Sequence, residues 1–133
     1  MKFLLSEDNQ FLRTAIKKLL QRNYPTAIIE EAKTGSELLV KALNNNSNWD
    51  LIISNIGSTG LAGVEITETL RKTKHIPILI LSAVKLEDYA NFGFLDYIAG
   101  FVLTDNLSVR LPKAINSILS QGLYQISQTK IAC

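Results

Sequence analysis

Residues 50–65 have the sequence DLIISNIGSTGLAGVE, and this stretch decides the fold class of the chain. The segment Leu51 to Ile53 is apolar, rich in β-branched residues and too short for a buried helix, so it predicts a strand covered on both faces. Polar residues ending in Asn55 follow at once, and a loop with three glycines then leads into a helical pattern. A buried strand, a polar loop and a helix in this order are typical of an α/β fold.

Four other apolar runs alternate with longer amphipathic segments in the same way. The runs are Phe3 to Leu5, Ala27 to Ile29, Ile78 to Leu81 and Phe101 to Leu103. The amphipathic segments predict helices over 11–20, 34–43, 64–74, 88–97 and 109–121, and a capping box at Thr34 and Glu37 begins the second. Strands buried on both faces that alternate with single helices predict one α/β domain with a doubly wound parallel sheet.

The first predicted helix combines two adjacent apolar rows with a basic cluster. The rows are Phe11, Ala15, Leu19 and Leu12, Ile16, Leu20, and the cluster is Arg13, Lys17, Lys18 and Arg22. The two rows have the i, i+4 spacing of a helix. The basic cluster is either a solvated helix face or a docking surface for an acidic partner, and the residues alone leave both interpretations open.

The composition excludes several classes of protein. Of 133 residues, 47% are hydrophobic and 20% charged, which is more apolar than a disordered chain. A single cysteine, Cys133, rules out a disulfide scaffold, and the longest apolar stretch, 76–84, is too short to span a membrane. With no signal-peptide pattern at the start, we expect a cytoplasmic domain that makes no membrane contact. A net charge of +2 does not support direct binding of nucleic acid.

Polar residues follow the predicted strands at the positions where α/β proteins build their sites. In an open parallel sheet, ligands bind in the loops after the carboxyl ends of the strands. Those positions hold Glu7 and Asp8 after the first strand, Asn55 after the third, Ser82 after the fourth and Thr104 after the fifth. The sequence therefore predicts that these side chains meet at one edge of the sheet.

Four of these segments, in order and at matching spacing, resemble the receiver domains of response regulators (CheY-like). They are LLSEDN at 4–9, the stretch at 50–65, ILILSA at 78–83 and GFVL at 100–103. The resemblance covers about residues 2–121 and implies a flavodoxin-like (βα)₅ fold with strand order 2-1-3-4-5. It also implies a receiver-like domain over 1–122, followed at 123–133 by a C-terminal tail or the start of a linker.

In this family, two acidic residues hold Mg²⁺, an aspartate accepts a phosphoryl group from a kinase histidine, and a hydroxyl residue and a lysine contact that group. The resemblance assigns Glu7 and Asp8 to the acidic pair and Ser82 to the hydroxyl position. It assigns Phe101 to the aromatic switch position. Two positions depart from the family pattern. Asn55 occupies the place of the phosphoacceptor aspartate, and Thr104 occupies the place of the lysine.

The two departures are chemically consistent with each other. The amide of Asn55 is a poor nucleophile with no carboxylate oxygen to phosphorylate, and Thr104 has no charge to neutralise phosphate. Losing one negative and one positive group together leaves the net charge of the pocket unchanged. We therefore expect a degenerate site without a catalytic residue, in a protein that is not an enzyme.

Three site residues retain alternative interpretations. Glu7 and Asp8 are either solvated loop carboxylates, with Asp8 or Asn9 capping the first helix, or a weak residual Mg²⁺ site. Ser82 is either a remnant of the switch or a strand-end hydroxyl that satisfies the backbone. We expect no other cofactor.

Aromatic residues concentrate between positions 89 and 101. The segment contains Tyr89, Phe92, Phe94, Tyr97 and Phe101, and a single helix cannot bury the first four on one side. In receivers, the face formed by the fourth helix, fifth strand and fifth helix is the usual dimer or effector surface. We therefore expect an interface there, for a homodimer or a protein partner, with local packing as the alternative.

The sequence thus predicts a pseudo-receiver that signals through protein–protein contact, as the regulatory part of a transcriptional regulator, with a histidine kinase or an output domain as partner. Residues 100–105 and 122–124 most resemble receivers that precede a helix-turn-helix output domain. One alternative is a working receiver phosphorylated at a non-standard site, Asp50 or Asp105. A remote alternative is a flavin-binding flavodoxin-like domain, which Glu7 and Asp8 disfavour because they repel phosphate.

Overall fold

The computed structural model describes residues 1–44, 48–55, 60–83 and 97–124, with the main chain alone for 60–64. The strands are β1 (Lys2–Ser6), β2 (Ile28–Ala32), β3 (Leu51–Asn55), β4 (Ile78–Ser82) and β5 (Gly100–Leu103). The helices are α1 (Gln10–Asn23), α2 (Gly35–Ala42), α3 (Gly60–Lys74) and α4 (Leu107–Gln121). All pairings are parallel and the order is β2-β1-β3-β4-β5, which confirms the predicted doubly wound sheet.

The helix α4 is the one that the sequence predicts over 109–121. The helix predicted over 88–97 lies outside the described residues, apart from Tyr97.

The sheet separates two apolar layers. Successive residues of a strand point to opposite faces, so each central strand contributes to both layers. Phe3 and Leu5 pack with α1 and α4, whereas Leu4 packs with α2 and α3. The strands β1, β3 and β4 are buried on both faces, as predicted.

The strand β2 is an exception to the predicted burial. Its first four residues alternate between exposed and half-buried, with Ile28 58% exposed, and only Ala32 is buried. Burial on both faces was therefore a wrong prediction for this strand. It lies at the edge of the sheet, where only one neighbouring strand covers it.

Side-chain caps fix where two of the helices begin. Asn9 accepts a hydrogen bond from the N–H of Leu12 at 3.0 Å, and Thr34 accepts one from the N–H of Glu37 at 3.1 Å. These bonds confirm Asn9 and Thr34 as N-caps. The Glu37 carboxylate reaches back to the N–H of Lys33 at 3.2 Å, one residue earlier than the standard capping box places it.

One of the two apolar rows of α1 faces the sheet only at its last residue, Leu19, which is buried. Phe11 is 90% exposed and Ala15 is exposed, whereas Ile16 and Leu20 are buried. A helix on a sheet buries only a stripe of its surface, and here the stripe is centred on Ile16 and Leu20. The rows thus predicted the helix correctly, although Phe11 and Ala15 lie outside its buried stripe.

After α4, the chain turns at Gly122, whose φ of 88° is left-handed, and returns to the sheet edge. The N–H of Tyr124 donates to the carbonyl of Ala99 at 2.9 Å, and Tyr124 forms a parallel bridge with Gly100. The predicted domain boundary at residue 122 stays a prediction, and residues 125–133 lie outside the described part of the chain.

Candidate functional site

The register of the sheet aligns the carboxyl ends of four strands. Ser6 of β1 is opposite Ser54 of β3, Asn55 of β3 is opposite Leu81 of β4, and Ser82 of β4 is opposite Leu103 of β5. The residues that follow these positions therefore share one edge of the sheet. This edge is where the sequence predicted that the candidate site residues meet.

Glu7 is held in place through its backbone. Its N–H donates to the carbonyl of Ala32 at 3.1 Å, and its own carbonyl accepts a bond from Nη1 of Arg13 at 2.8 Å. The first bond ties the end of β1 to β2, and the second ties it to α1. Only 2% of Glu7 is exposed, so its carboxylate is fixed inside the protein.

Two donors satisfy the buried carboxylate of Glu7. The side-chain amide of Asn55 donates from Nδ2 to Oε1 of Glu7 at 2.6 Å, and the N–H of Asn9 donates to Oε2 at 3.3 Å. The interpretation of Glu7 as a solvated loop carboxylate was therefore wrong. Asp8 is exposed beside Glu7, and Asn9 caps the helix.

Burial raises the pKa of the Glu7 carboxyl above its usual range. The hydrogen bonds from Asn55 and from the backbone of Asn9 oppose this shift because they stabilise the charged form, and the neighbouring Asp8 adds to it. The amide of Asn55 thus takes the place that a cation would take beside this carboxylate.

The described residues of the pocket offer Mg²⁺ one carboxylate fewer than the site of the family does, because Asn55 stands in place of an aspartate. Mg²⁺ takes carboxylates and water in near-ideal octahedral geometry. The amide nitrogen of Asn55 is a donor that cannot bind a cation, and in this arrangement it occupies one oxygen of Glu7. Across the described ranges, no three His, Cys, Asp or Glu residues are grouped so that they could hold a metal ion.

Ser82 is the last residue of β4, and Thr104 follows the last residue of the neighbouring edge strand β5. Ser82 is completely buried, and its carbonyl accepts a bond from the N–H of Thr104 at 2.9 Å. Thr104, at the position of the family's lysine, is half-buried. Its side chain is short and neutral. Phe101, the candidate switch aromatic, is half-buried against the apolar layer of α2 and α3.

The predicted aromatic interface is only partly visible. Tyr89, Phe92 and Phe94 lie outside the described residues. The ring centroid of Tyr97 is 5.5 Å from Nζ of Lys72 on α3. The predicted interface stays a prediction.

Arg13 contacts the site from α1, and the sequence did not predict this role. It belongs to the basic cluster of α1 but is only 8% exposed, and its Nε lies 3.6 Å from Oε1 of Glu31. A signal was present, because positions 13, 16 and 20 share one helix stripe with the buried residues Ile16 and Leu20. Arg13 therefore holds the backbone of Glu7 from α1 and does not belong to the solvated face.

None of the helices in the described ranges is long and apolar enough to cross a membrane.

Comparison with known protein families identifies the class to which this fold and these aligned strand ends belong. Residues 3–116 match the family model described as the response regulator receiver domain. This chain belongs to that family.

Individual relatives support the same family assignment. ResD of Bacillus subtilis, a transcriptional regulatory protein, is 34% identical over 83 residues, covering 62% of this chain and 32% of ResD. The response regulator ArlR of Staphylococcus saprophyticus is 35% identical over 97 residues, covering 72% of this chain and 41% of ArlR. The chain thus spans less than half the length of these two curated relatives.

A solved structure shows the shared architecture. The response regulator TrrA of Thermotoga maritima, crystallised in complex with Mg²⁺ and BeF, superposes with a TM-score of 0.76 at 25% identity. The match covers 89% of this chain and 98% of that structure.

Proposed function

We propose that this receiver domain signals without phosphorylation, as a protein-interaction module that is the regulatory part of a transcriptional regulator in the cytoplasm. One observation supports it above all others. The residue at the phosphoacceptor position, Asn55, presents an amide nitrogen 2.6 Å from Glu7 in place of a nucleophilic carboxylate.

The chemistry of phosphoryl transfer supports the same proposal. Such transfer depends on positioning and on neutralising charge at the transferred group, usually with a metal ion. This pocket has no acceptor carboxylate, no cation at Thr104 and a Glu7 oxygen that an amide already occupies. The domain therefore lacks the means to catalyse its own phosphorylation.

The relatives suggest the setting. Receiver domains interact with histidine kinases and output domains, and ResD is a transcriptional regulatory protein. We propose the same setting for this chain, with residues 1–122 as the regulatory domain and 123–133 as a tail or linker.

Phosphorylation at Asp50, one of the two non-standard sites, has no geometric support. Its Oδ2 accepts the N–H of Lys2 at 2.8 Å, at the amino end of β3. A strand of this length places that carboxylate roughly 16 Å from the Glu7–Asn55 pocket.

The decisive experiment is incubation with acetyl phosphate or phosphoramidate and Mg²⁺, followed by intact mass spectrometry. The wild-type chain is expected to gain no phosphoryl group. The double variant Asn55→Asp/Thr104→Lys, which restores both missing groups, is expected to gain one. A receiver with the complete family site controls for the phosphodonor. A stable phosphoryl group on the wild-type chain contradicts the proposal, and fragment masses would locate it.

A further inference from the structure

The strand β2 forms one edge of the sheet, and β1 is the only strand that pairs with it in the described part of the chain. The N–H of Ile28 and the carbonyl of Ala32 make hydrogen bonds toward β1, at 2.8 and 3.1 Å. Backbone groups of successive residues alternate in direction, so those of Ile29, Glu31 and Lys33 face outward. A row of outward donors and acceptors is a template on which another strand can add.

Two side chains of α2 cover the outward groups at the carboxyl-terminal end of this edge. Nζ of Lys41 donates to the carbonyl of Glu31 at 2.5 Å, and Oε2 of Glu37 accepts the N–H of Lys33 at 3.2 Å. The two side chains also form an ion pair with each other, with Nζ 3.1 Å from Oε1. Because Glu37 and Lys41 are spaced i, i+4, they lie on the same side of the helix and both reach the strand.

These contacts reproduce the hydrogen bonds that an added strand would make. In a parallel ladder, one residue of the added strand donates to the carbonyl before its partner residue and accepts the N–H after it. At Ala32 these two groups are the carbonyl of Glu31 and the N–H of Lys33, which the ammonium and the carboxylate already hold. The Glu37–Lys41 pair therefore takes the place of one residue of a further strand.

The amino-terminal half of the edge has no such cover. Ile28 is 58% exposed there, and β-branched residues are common in paired strands. Within the ranges that the structure describes, the outward N–H and carbonyl of Ile29 have no hydrogen-bond partner. The edge thus has the residues and the free groups for strand pairing, and the Glu37–Lys41 pair interrupts them at one end.

We propose that the Glu37–Lys41 pair closes the β2 edge, and that β2 pairs antiparallel with β2 of a second copy once the pair is removed. An edge strand matches itself in such a twofold arrangement, because each copy offers both donors and acceptors. With Ala32 at the centre, the carbonyl of Glu31 accepts the N–H of Lys33 from the other copy. The side chains of these two residues then lie opposite each other, so that opposite charges meet. This inference concerns assembly and does not depend on the proposed function.

The test removes the pair and measures self-association. Sedimentation equilibrium over a range of protein concentrations compares the variant Glu37→Ala/Lys41→Ala with the wild-type chain. We expect the association constant of the variant to be at least about tenfold higher, because two backbone groups per copy become free and each bond contributes a factor of about two to ten. Amide hydrogen exchange locates the contact, since the N–H groups of Glu31 and Lys33 should become more protected as the concentration of the variant rises.

A second ion pair provides a matched control. Glu68 and Lys72 have the same i, i+4 spacing on α3, at 2.7 Å, and among the described residues they bond to no strand backbone. Glu68→Ala/Lys72→Ala should therefore associate as the wild type does. Lys41→Arg keeps a donor beside the carbonyl of Glu31 and should also match the wild type. Lys41→Met removes the donor but keeps the bond from Lys33 to Glu37, so it decides the test if the double variant does not fold.

Three results would overturn the inference. The first is a variant without the pair that is folded by circular dichroism and associates no more strongly than the wild type. The second is equal association of the α3 control. The third is protection from exchange that rises only at amides outside β2, which would assign the association to another surface. Stronger association of both Glu37→Ala/Lys41→Ala and Lys41→Met, with protection confined to β2, would support the inference.

Discussion

Restoring the acceptor carboxylate by Asn55→Asp should destabilise the domain. In the wild-type chain, Nδ2 of Asn55 donates to the buried Glu7 carboxylate over 2.6 Å. The variant replaces this donor with a carboxylate at the same place. The favourable contact becomes a repulsion between two acidic groups, in a position from which Glu7 cannot withdraw because its backbone is bonded to both Ala32 and Arg13.

The size of the effect follows from the two contributions. A hydrogen bond to a charged group is worth about 1.5–3 kcal/mol. Two like charges near 4 Å repel by about 4 kcal/mol at an effective dielectric constant near 20. Uptake of a proton by one of the two carboxylates limits the resulting loss of stability. We expect the free energy of unfolding of Asn55→Asp to fall by about 3–5 kcal/mol at neutral pH. Asn55→Ala loses the bond without gaining the repulsion and should lose about 1.5–3 kcal/mol.

Urea unfolding followed by the fluorescence of Trp49, the single and buried tryptophan, measures both variants. Repeating the titration with Mg²⁺ adds a second readout. A cation that binds only the folded form stabilises it, so Mg²⁺ should recover part of the loss in Asn55→Asp and leave the wild type and Asn55→Ala unchanged. If Asn55→Asp is no less stable than Asn55→Ala without Mg²⁺, the amide does not replace a cation beside Glu7 and the reasoning fails.

Four further predictions concern stability, measured by the same unfolding assay. The pKa of Glu7 is raised in the folded state, so the contribution of Glu7 to the free energy of unfolding is complete below the unfolded pKa near 4.3. This contribution is lost as the pH rises through the folded pKa. Glu7→Gln should remove this pH dependence of stability, and an unchanged dependence would assign it to another group. Tyr24→Phe loses the 2.7 Å bond from the hydroxyl to Oδ1 of Asn116 and should cost about 1 kcal/mol; a neutral result would show that water replaces the bond. Gly100→Ala should cost about 1–3 kcal/mol, because its Cβ would come within 2.9 Å of side chains from β4 and α4, and a stability gain would contradict that crowding. Thr34→Ala should cost about 1 kcal/mol through the lost cap of α2, and Thr34→Ser should retain most of it.

The sequence was sufficient to predict the sheet because each strand is indicated by its own short run of residues. The run Leu51 to Ile53 is apolar at successive positions, which is what burial on both faces requires, and the alternation with helices then limits the topology. The position of Asn55 at a strand end followed from the same pattern, since carboxyl ends of parallel strands share an edge.

The details that the sequence did not predict depend on contacts between distant segments. The burial of Glu7 depends on Asn55, which is 48 positions away, and no local pattern indicates that an amide will satisfy it. The two apolar rows of α1 are equivalent by hydrophobicity. Ile16 is buried and Phe11 faces solvent because of the way in which the helix packs on the sheet.

The contact of Tyr124 with Gly100 has a practical consequence for attaching this domain to a surface. Gly100 is the first residue of β5, and Lys2 is the first of β1, so both described ends of the chain lie at the amino-terminal edge of the parallel sheet. Glu7 and Asn55 lie at the opposite edge, roughly 16 Å away across a five-residue strand. A tether, dye or affinity handle at either end should therefore leave the pocket and the beginning of α1 unobstructed.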